Sequence, residues 1–217
     1  MLSVLLASFV TFFVAIDPVA MAPMFTTMTS RMTPAWRRQM AWKSVAIATG
    51  ILLAFAFGGA WLLEQIHVSL DAFRIAGGLL LFLIAIDMLF EKRSERRDER
   101  AEKVAAEQAQ HPDKQDDISV FPLAIPLIAG PGAIASVMLF FNEYETAGER
   151  AMVLAGVGAN LALCLIAFLM AGPISRVMGP TVASVLTRIF GILLAALAAQ
   201  FVVDGIRNAF GLARASL

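Results

Sequence analysis

The 217-residue sequence predicts an all-α integral membrane protein, built from six transmembrane helices in two inverted three-helix repeats, with helices 1 and 4 discontinuous. Three observations predict it. Hydrophobic residues make up 59% of the chain and its mean hydropathy is +0.76, well above a soluble domain, whose apolar share is usually just under half. Those residues fall into six stretches long enough to cross a hydrocarbon core of about 30 Å, which takes about 20 residues of helix. Finally, the second half of the chain repeats the first.

The first span, 3–28, begins MLSVLLASFVTFFVA with no basic residue ahead of it and runs directly into AIDPVAMAP. It therefore reads as a retained helix rather than a cleaved signal peptide. Spans two and three follow at 42–63 and 72–90. Residues 91–117, EKRSERRDERAEKVAAEQAQHPDKQDD, interleave both signs of charge at helical spacing, then turn to proline and aspartate. That is the pattern of a solvated helix running into a linker. Spans four, five and six are expected at 119–141, 151–172 and 183–206. The chain thus divides into a first repeat, 1–90, a charged connector, 91–118, and a second repeat, 119–217.

Orientation follows from the basic residues. Thirteen of the seventeen lysines and arginines fall in the loops after spans one (Arg31, Arg37, Arg38, Lys43), three (Lys92 to Lys114) and five (Arg176, Arg188). The positive-inside rule places these loops, the connector included, in the cytoplasm and both termini outside, in a bacterial inner membrane the periplasm. Of the rest, Arg74 lies at a span end, as does Arg188 among the thirteen; both are expected to snorkel to the interface.

The repeat is clearest where RIAGGLLLFLIA, 74–85, aligns without gaps on RIFGILLAALAA, 188–199, with seven of twelve positions identical. Nearly the same offset sets Asp17-Pro18 against Gly130-Pro131. Each half holds three spans, an odd number, so the second half enters the membrane from the opposite side, as in many secondary transporters. Pro18 and Pro131 lie near the middles of spans one and four, where a proline removes a helix hydrogen bond and collides with the preceding turn. Asp-Pro and Gly-Pro also suit an N-cap and first turn, so a new half-helix is expected to start at each break. Non-helical chain at this depth survives only against protein or a watery cavity. The breaks therefore mark a candidate site for substrate or ion, formed by Asp17, Pro18, Gly130, Pro131 and Gly132, whose half-helix N-termini suit a small anion. An intramembrane carboxylate such as Asp17 usually has a partner or a role. The plainer reading makes it only the cap of the second half of span one. Small neighbours such as Ala15, Ala20, Ala133 and Ala135 fit a small solute and equally fit close helix packing.

Pro23 and Pro126 extend the irregular regions and are secondary candidates. So are Asn160 and Gln200, for which hydrogen bonding between helices is the favoured role. Asp87 and Asp204 fall near span ends, within reach of water. Zero formal net charge gives no basic signature for nucleic acid. Cys164 is the single cysteine, His67 and His111 stand alone, and no cluster has metal-ligand spacing. No nucleophile–base pair, phosphate loop or dinucleotide fingerprint appears, so neither an enzyme nor a cofactor is expected.

Together, IDPVAMAPMF, FPLAIPLIAGPGAIA, RIAGGLLLFLIAIDML and RIFGILLAALAAQFVVDGI resemble the MarC family of multiple antibiotic resistance-related membrane proteins across all six spans. PLAIPLIAGPGAI is the most specific of these. Val19-Ala20-Met21 stands where many relatives have a glycine-containing turn, and the connector is longer than the family pattern. The resemblance implies a transporter of small neutral amino acids such as glycine and alanine. Asp17-Pro18 and Gly130-Pro131-Gly132 would form its site through backbone groups, and Asp17 would meet the substrate ammonium or a coupling proton or sodium ion. Two other readings stand beside it: an exporter of drugs or amphipathic compounds, which needs a roomier, aromatic-lined cavity, and a non-transporting scaffold acting through 91–118.

Overall fold

The computed structural model describes residues 1–110, 117–177 and 180–211; the expected connector's last stretch, with His111 and Lys114, and Arg214 lie outside them. The regular elements are all helical: α1 (Leu2–Ile16), α2 (Pro18–Met28), α3 (Pro34–Gln65), α4 (Leu70–Leu89), α5 (Lys92–Gln110), an irregular coil (Ser119–Ile128), α6 (Pro131–Glu143), α7 (Ala147–Leu169), α8 (Ala171–Val177) and α9 (Pro180–Ala209). Leu2–Met28, Pro34–Gln65, Leu70–Leu89, Ala147–Leu169 and Ser184–Ala209 are each long and apolar enough to cross a membrane. The coil and α6, bent by 57° at their junction, make a sixth span if counted as one.

Helix starts are written locally. Thr33 accepts from the Trp36 amide, Ser69 from Ala72 and Thr146 from Glu149, so one of the first-turn N–H groups, which have no intrahelical acceptor, is satisfied in each case. Pro34 follows its cap at the first helical position, where a missing N–H costs nothing. The Thr146 hydroxyl also donates to the Glu149 carboxylate, which holds it in place to accept from the Glu149 amide.

Packing relies on close backbone approach. In lipid the hydrophobic effect does not drive helices together, so dispersion between well-fitted surfaces must. α4 and α9 share the most extensive contact and run antiparallel: Gly78 lies on Ala198 and Val202, Gly191 on Ala85 and Met88, and Gly205 on Asp71 and Ile75. A Cβ on Gly78 would sit 2.8 Å from the Ala198 carbonyl oxygen, so glycine sets the spacing there. α1–α2 and α7 run parallel, with Gly156 against Ser8, and Phe25 stacked on Phe168 at 4.5 Å. α3 runs parallel to the chain through the coil and α6, from Lys43 paired with Asp117 ahead of the coil to Gly59 on Met138 of α6, with Phe57 edge-on to Phe141 beside it. The outer surface carries exposed Phe57, Trp61, Leu83 and Ile192, which suits a lipid environment.

Two sequence expectations need correction. The connector helix is not simply solvated: α5 packs on α2 and α4, with Arg97 and Ala101 buried and Val104 against the core. Arg74 does not snorkel; it is 6% exposed and paired with Glu143 at 3.2 Å, because α6 ends beside the start of α4 and supplies the countercharge. Arg188, by contrast, is exposed and pairs with Glu91 at 2.8 Å.

Candidate functional site

The first break turns on one residue. Asp17 sits between α1 and α2 with φ 61 and ψ 64, the left-handed region that aspartate tolerates better than most residues. Its N–H bonds to the Phe13 carbonyl at 2.9 Å and finishes α1, while its Oδ1 accepts from the Ala20 amide at 3.3 Å and starts α2. Pro18 occupies the first helical position of α2 and is buried. Asp17 is thus at once the last cap of one helix and the first cap of the next.

The other carboxylate oxygen has an ionic partner. Arg97 of α5 donates from Nη1 to Asp17 Oδ2 at 3.0 Å and from Nη2 to the Ile16 carbonyl at 3.4 Å. Asp17 is 2% exposed and Arg97 8%. One guanidinium therefore answers both the buried carboxylate and a carbonyl at the end of α1. Sequence reasoning missed Arg97, one of seven basic residues in the connector with nothing in its charge to single it out. The available signal was periodic: Arg97, Ala101 and Val104 fall at i, i+4 and i+7, one face of a helix otherwise rich in charge.

The second break is built differently. Phe121 and Ile125 are extended, as residues before proline are pushed to be, and the Phe121-Pro122 and Ile125-Pro126 bonds are cis. Gly130, with φ −77 and ψ 169, precedes α6, whose first residue is Pro131. A Cβ at Gly130 would meet the Pro126 carbonyl oxygen at 2.6 Å, so the chain can fold back this tightly only with glycine. Gly132 is buried against Leu81 and Ile84 of α4. Pro126 and Pro131 line an apolar pocket of 610 Å³ between α3, α4 and α6, with Phe55, Phe73 and Met138 in its wall and no residue of α1 or α2.

The predicted residues therefore fall at two places on helices that touch, and the apolar pocket adjoins only the second: α1 packs on α6, and Phe12 lies 6.1 Å from Phe140. Pro23 lies within α2, clear of the break. Asn160 is buried and its Nδ2 bonds the Phe9 carbonyl of α1 at 3.0 Å and Gly156 at 2.9 Å, the interhelix role favoured for it. Gln200 does not take the interhelix role favoured for it: it is exposed, and its Nε2 donates to Asp204 one turn on in the same helix at 2.9 Å, away from either break. Asp87 pairs with Arg96 at 2.6 Å. Among the described residues, Thr11 Oγ1, Ser136 Oγ and Asn160 Oδ1 are buried without a hydrogen-bond partner, one on each of the mutually packed helices α1, α6 and α7. No group of three or more histidines, cysteines or acidic residues among them could hold a metal ion.

The model of the MarC family integral membrane proteins matches residues 2–210. A UPF0056 membrane protein of Methanocaldococcus jannaschii is 35% identical over 202 residues, covering 93% of this chain and 95% of the relative. YhcE of Escherichia coli, also a UPF0056 membrane protein, is 37% identical across 93% of this chain and 91% of its own. YvbG of Bacillus subtilis, another, is 32% identical across 97% of each. No solved structure matches the chain. With a family model spanning nearly every residue and relatives aligned end to end, the chain belongs to the MarC family of integral membrane proteins.

Proposed function

We propose that this protein is a secondary transporter of small neutral amino acids, working by alternating access between two inverted repeats and driven by a proton or sodium gradient. The observation that carries the reading is Asp17: a carboxylate at a mid-span chain break, 2% exposed, whose countercharge comes from a helix outside the spans. Buried ionisable groups in spans mark substrate or ion paths more often than they serve structure alone. The unpartnered oxygens of Thr11, Ser136 and Asn160 add polar groups that a small solute would satisfy.

The helix pairings support the inverted repeat. Span one (α1–α2) packs parallel on span five (α7), and its counterpart, span four (the coil and α6), packs parallel on span two (α3). Spans three and six, α4 and α9, are each other's counterparts and pack antiparallel, as a two-fold axis in the membrane plane requires. On this reading both half-breaks belong to discontinuous helices. The basic loops face the cytoplasm and the termini the periplasm, in a plasma membrane.

The test is uptake of labelled alanine into liposomes holding purified protein, with and without a pH gradient. Gradient-driven, saturable uptake lost in Asp17→Asn is expected. Uptake indifferent to Asp17→Asn would remove the residue from the mechanism, and none by folded wild type would remove the substrate. The 610 Å³ apolar pocket favours one second reading, export of amphipathic compounds, since Phe55 and Phe73 give it aromatic walls. Unchanged drug sensitivity in a deletion and overexpression pair would sink that reading.

A further inference from the structure

We propose that Arg97 is the carboxylate-binding half of the substrate site, carried to it by α5, so that Asp17 and Arg97 together recognise a zwitterion. This rests on the transporter reading above and goes beyond it by assigning a residue, and a moving element, outside the spans.

The argument is one of charge conservation in a buried place. Asp17 and Arg97 are both buried and are each other's ionic partners at 3.0 Å. A simple ammonium binding at Asp17 would take Arg97's partner and leave a guanidinium buried without a countercharge. A simple carboxylate binding at Arg97 would do the same to Asp17. Orphaning one member of a buried pair is costly enough to weaken binding by about a hundredfold or more. A ligand that carries both charges exchanges one ion pair for two and orphans neither. The site therefore selects a zwitterion by making single-charged analogues break its own pair. Arginine suits the second half because its planar fork meets a carboxylate through two parallel N–H groups.

For a ligand to enter, α5 must lift, and its attachments allow that. Among the described residues its packing face is narrow, essentially Arg97, Ala101 and Val104, with Arg96 adding a largely exposed pair to Asp87 of α4. Beyond its two ends the chain is held by pairs at the surface, Glu91 with Arg188 and Asp117 with Lys43. Exposed pairs of this kind contribute little holding energy.

The experiment is competition against labelled-alanine uptake in liposomes by three unlabelled probes: alanine, ethylamine (alanine without its carboxylate) and propionate (alanine without its ammonium). In wild type, ethylamine and propionate should compete at least about a hundredfold more weakly than alanine. In Arg97→Gln the KM for alanine should rise and the discrimination against ethylamine should fall at least tenfold. Discrimination and KM unchanged in Arg97→Gln would overturn the proposal, as would a lower KM, which would make Arg97 only a competing plug. Should Arg97→Gln not fold, Arg97→Lys carries the test: loss of the paired fork should raise the alanine KM about tenfold, and an unchanged KM overturns the assignment. No alanine uptake by wild type overturns the transporter reading itself, and this inference with it.

Discussion

Neutralising Arg97 should cost this protein much of its stability, and neutralising Asp17 as well should restore most of it. At 3.0 Å, with an effective dielectric of about 20, the two charges attract by about 5.5 kcal/mol. Desolvation of both ions offsets most of that gain, so the intact pair is close to neutral in net terms. Arg97→Gln leaves the Asp17 carboxylate buried and unpaired, at a loss of about 3–5 kcal/mol. In Asp17→Asn with Arg97→Gln no charge remains. Asparagine caps a helix as well as aspartate does, and its amide can meet the glutamine, so the double variant should lose only about 1 kcal/mol. The coupling energy between the sites is then at least about 2 kcal/mol. Unfolding by SDS titration in mixed micelles, across all four members of the cycle, measures it. A loss below about 1 kcal/mol for Arg97→Gln alone would mean the pair behaves as an exposed one, and the reasoning would fail.

Three further outcomes follow from the same structure. Gly78→Ala puts a methyl 2.8 Å from the Ala198 carbonyl oxygen and should destabilise the α4–α9 contact by about 1–3 kcal/mol, whereas Gly58→Ala, with nothing within 4 Å, should gain up to about 1 kcal/mol of helix propensity; the same SDS titration reads both. Gly130→Ala forces its Cβ against the Pro126 carbonyl at 2.6 Å, so it should open the turn before α6, seen as faster amide exchange over residues 129–134, with Gly158→Ala, in open space, as the control. The Lys43 hydrogen bond, followed by that of Ser119, holds the Asp117 carboxyl down at about 2, so its contribution is present above the usual aspartate value of 3.8 and is lost as pH falls through about 2; the Ser119 amide, which donates to Asp117, should lose protection between those values, and Lys43→Ala should move that loss to higher pH.

The spans were legible because the bilayer imposes a length and a polarity that hydropathy records directly. Pro18 and Pro131 marked both breaks for the same reason: a missing N–H is visible in the residue name. The bend of 57° at the second break was not legible, since it depends on how closely the chain at Pro126 folds back on Gly130. Nor was the burial of Arg74 and Arg97. Each depends on a countercharge 69 or 80 residues away in the chain, and composition gives no sign of such pairings. The helix of the connector was read from its charge spacing, but its docking face was overlooked because Ala101 and Val104 are small beside so many charges.

The connector also explains why the two breaks differ. A repeat would give both halves the same solution, yet the first break holds a charge and the second none. Asp17 needs a cation within reach, and α1, α2 and α7 around it provide none within hydrogen-bond distance among the described residues. The connector occurs once in the chain, so α5 can close only one break. The other must satisfy its backbone by itself, and it does so without charge: two prolines remove N–H groups that would want acceptors, Ala129 bonds back to the Ala124 carbonyl, and the walls are apolar. The second break can therefore remain in place against hydrocarbon, whereas the first is tied to the position of a helix that lies outside the spans. If access alternates, the step that releases Arg97 has no counterpart at the second break. Replacing Arg97 should then change entry from the basic-loop face more than entry from the opposite face, and equal changes in uptake by right-side-out and inside-out vesicles would refute that asymmetry.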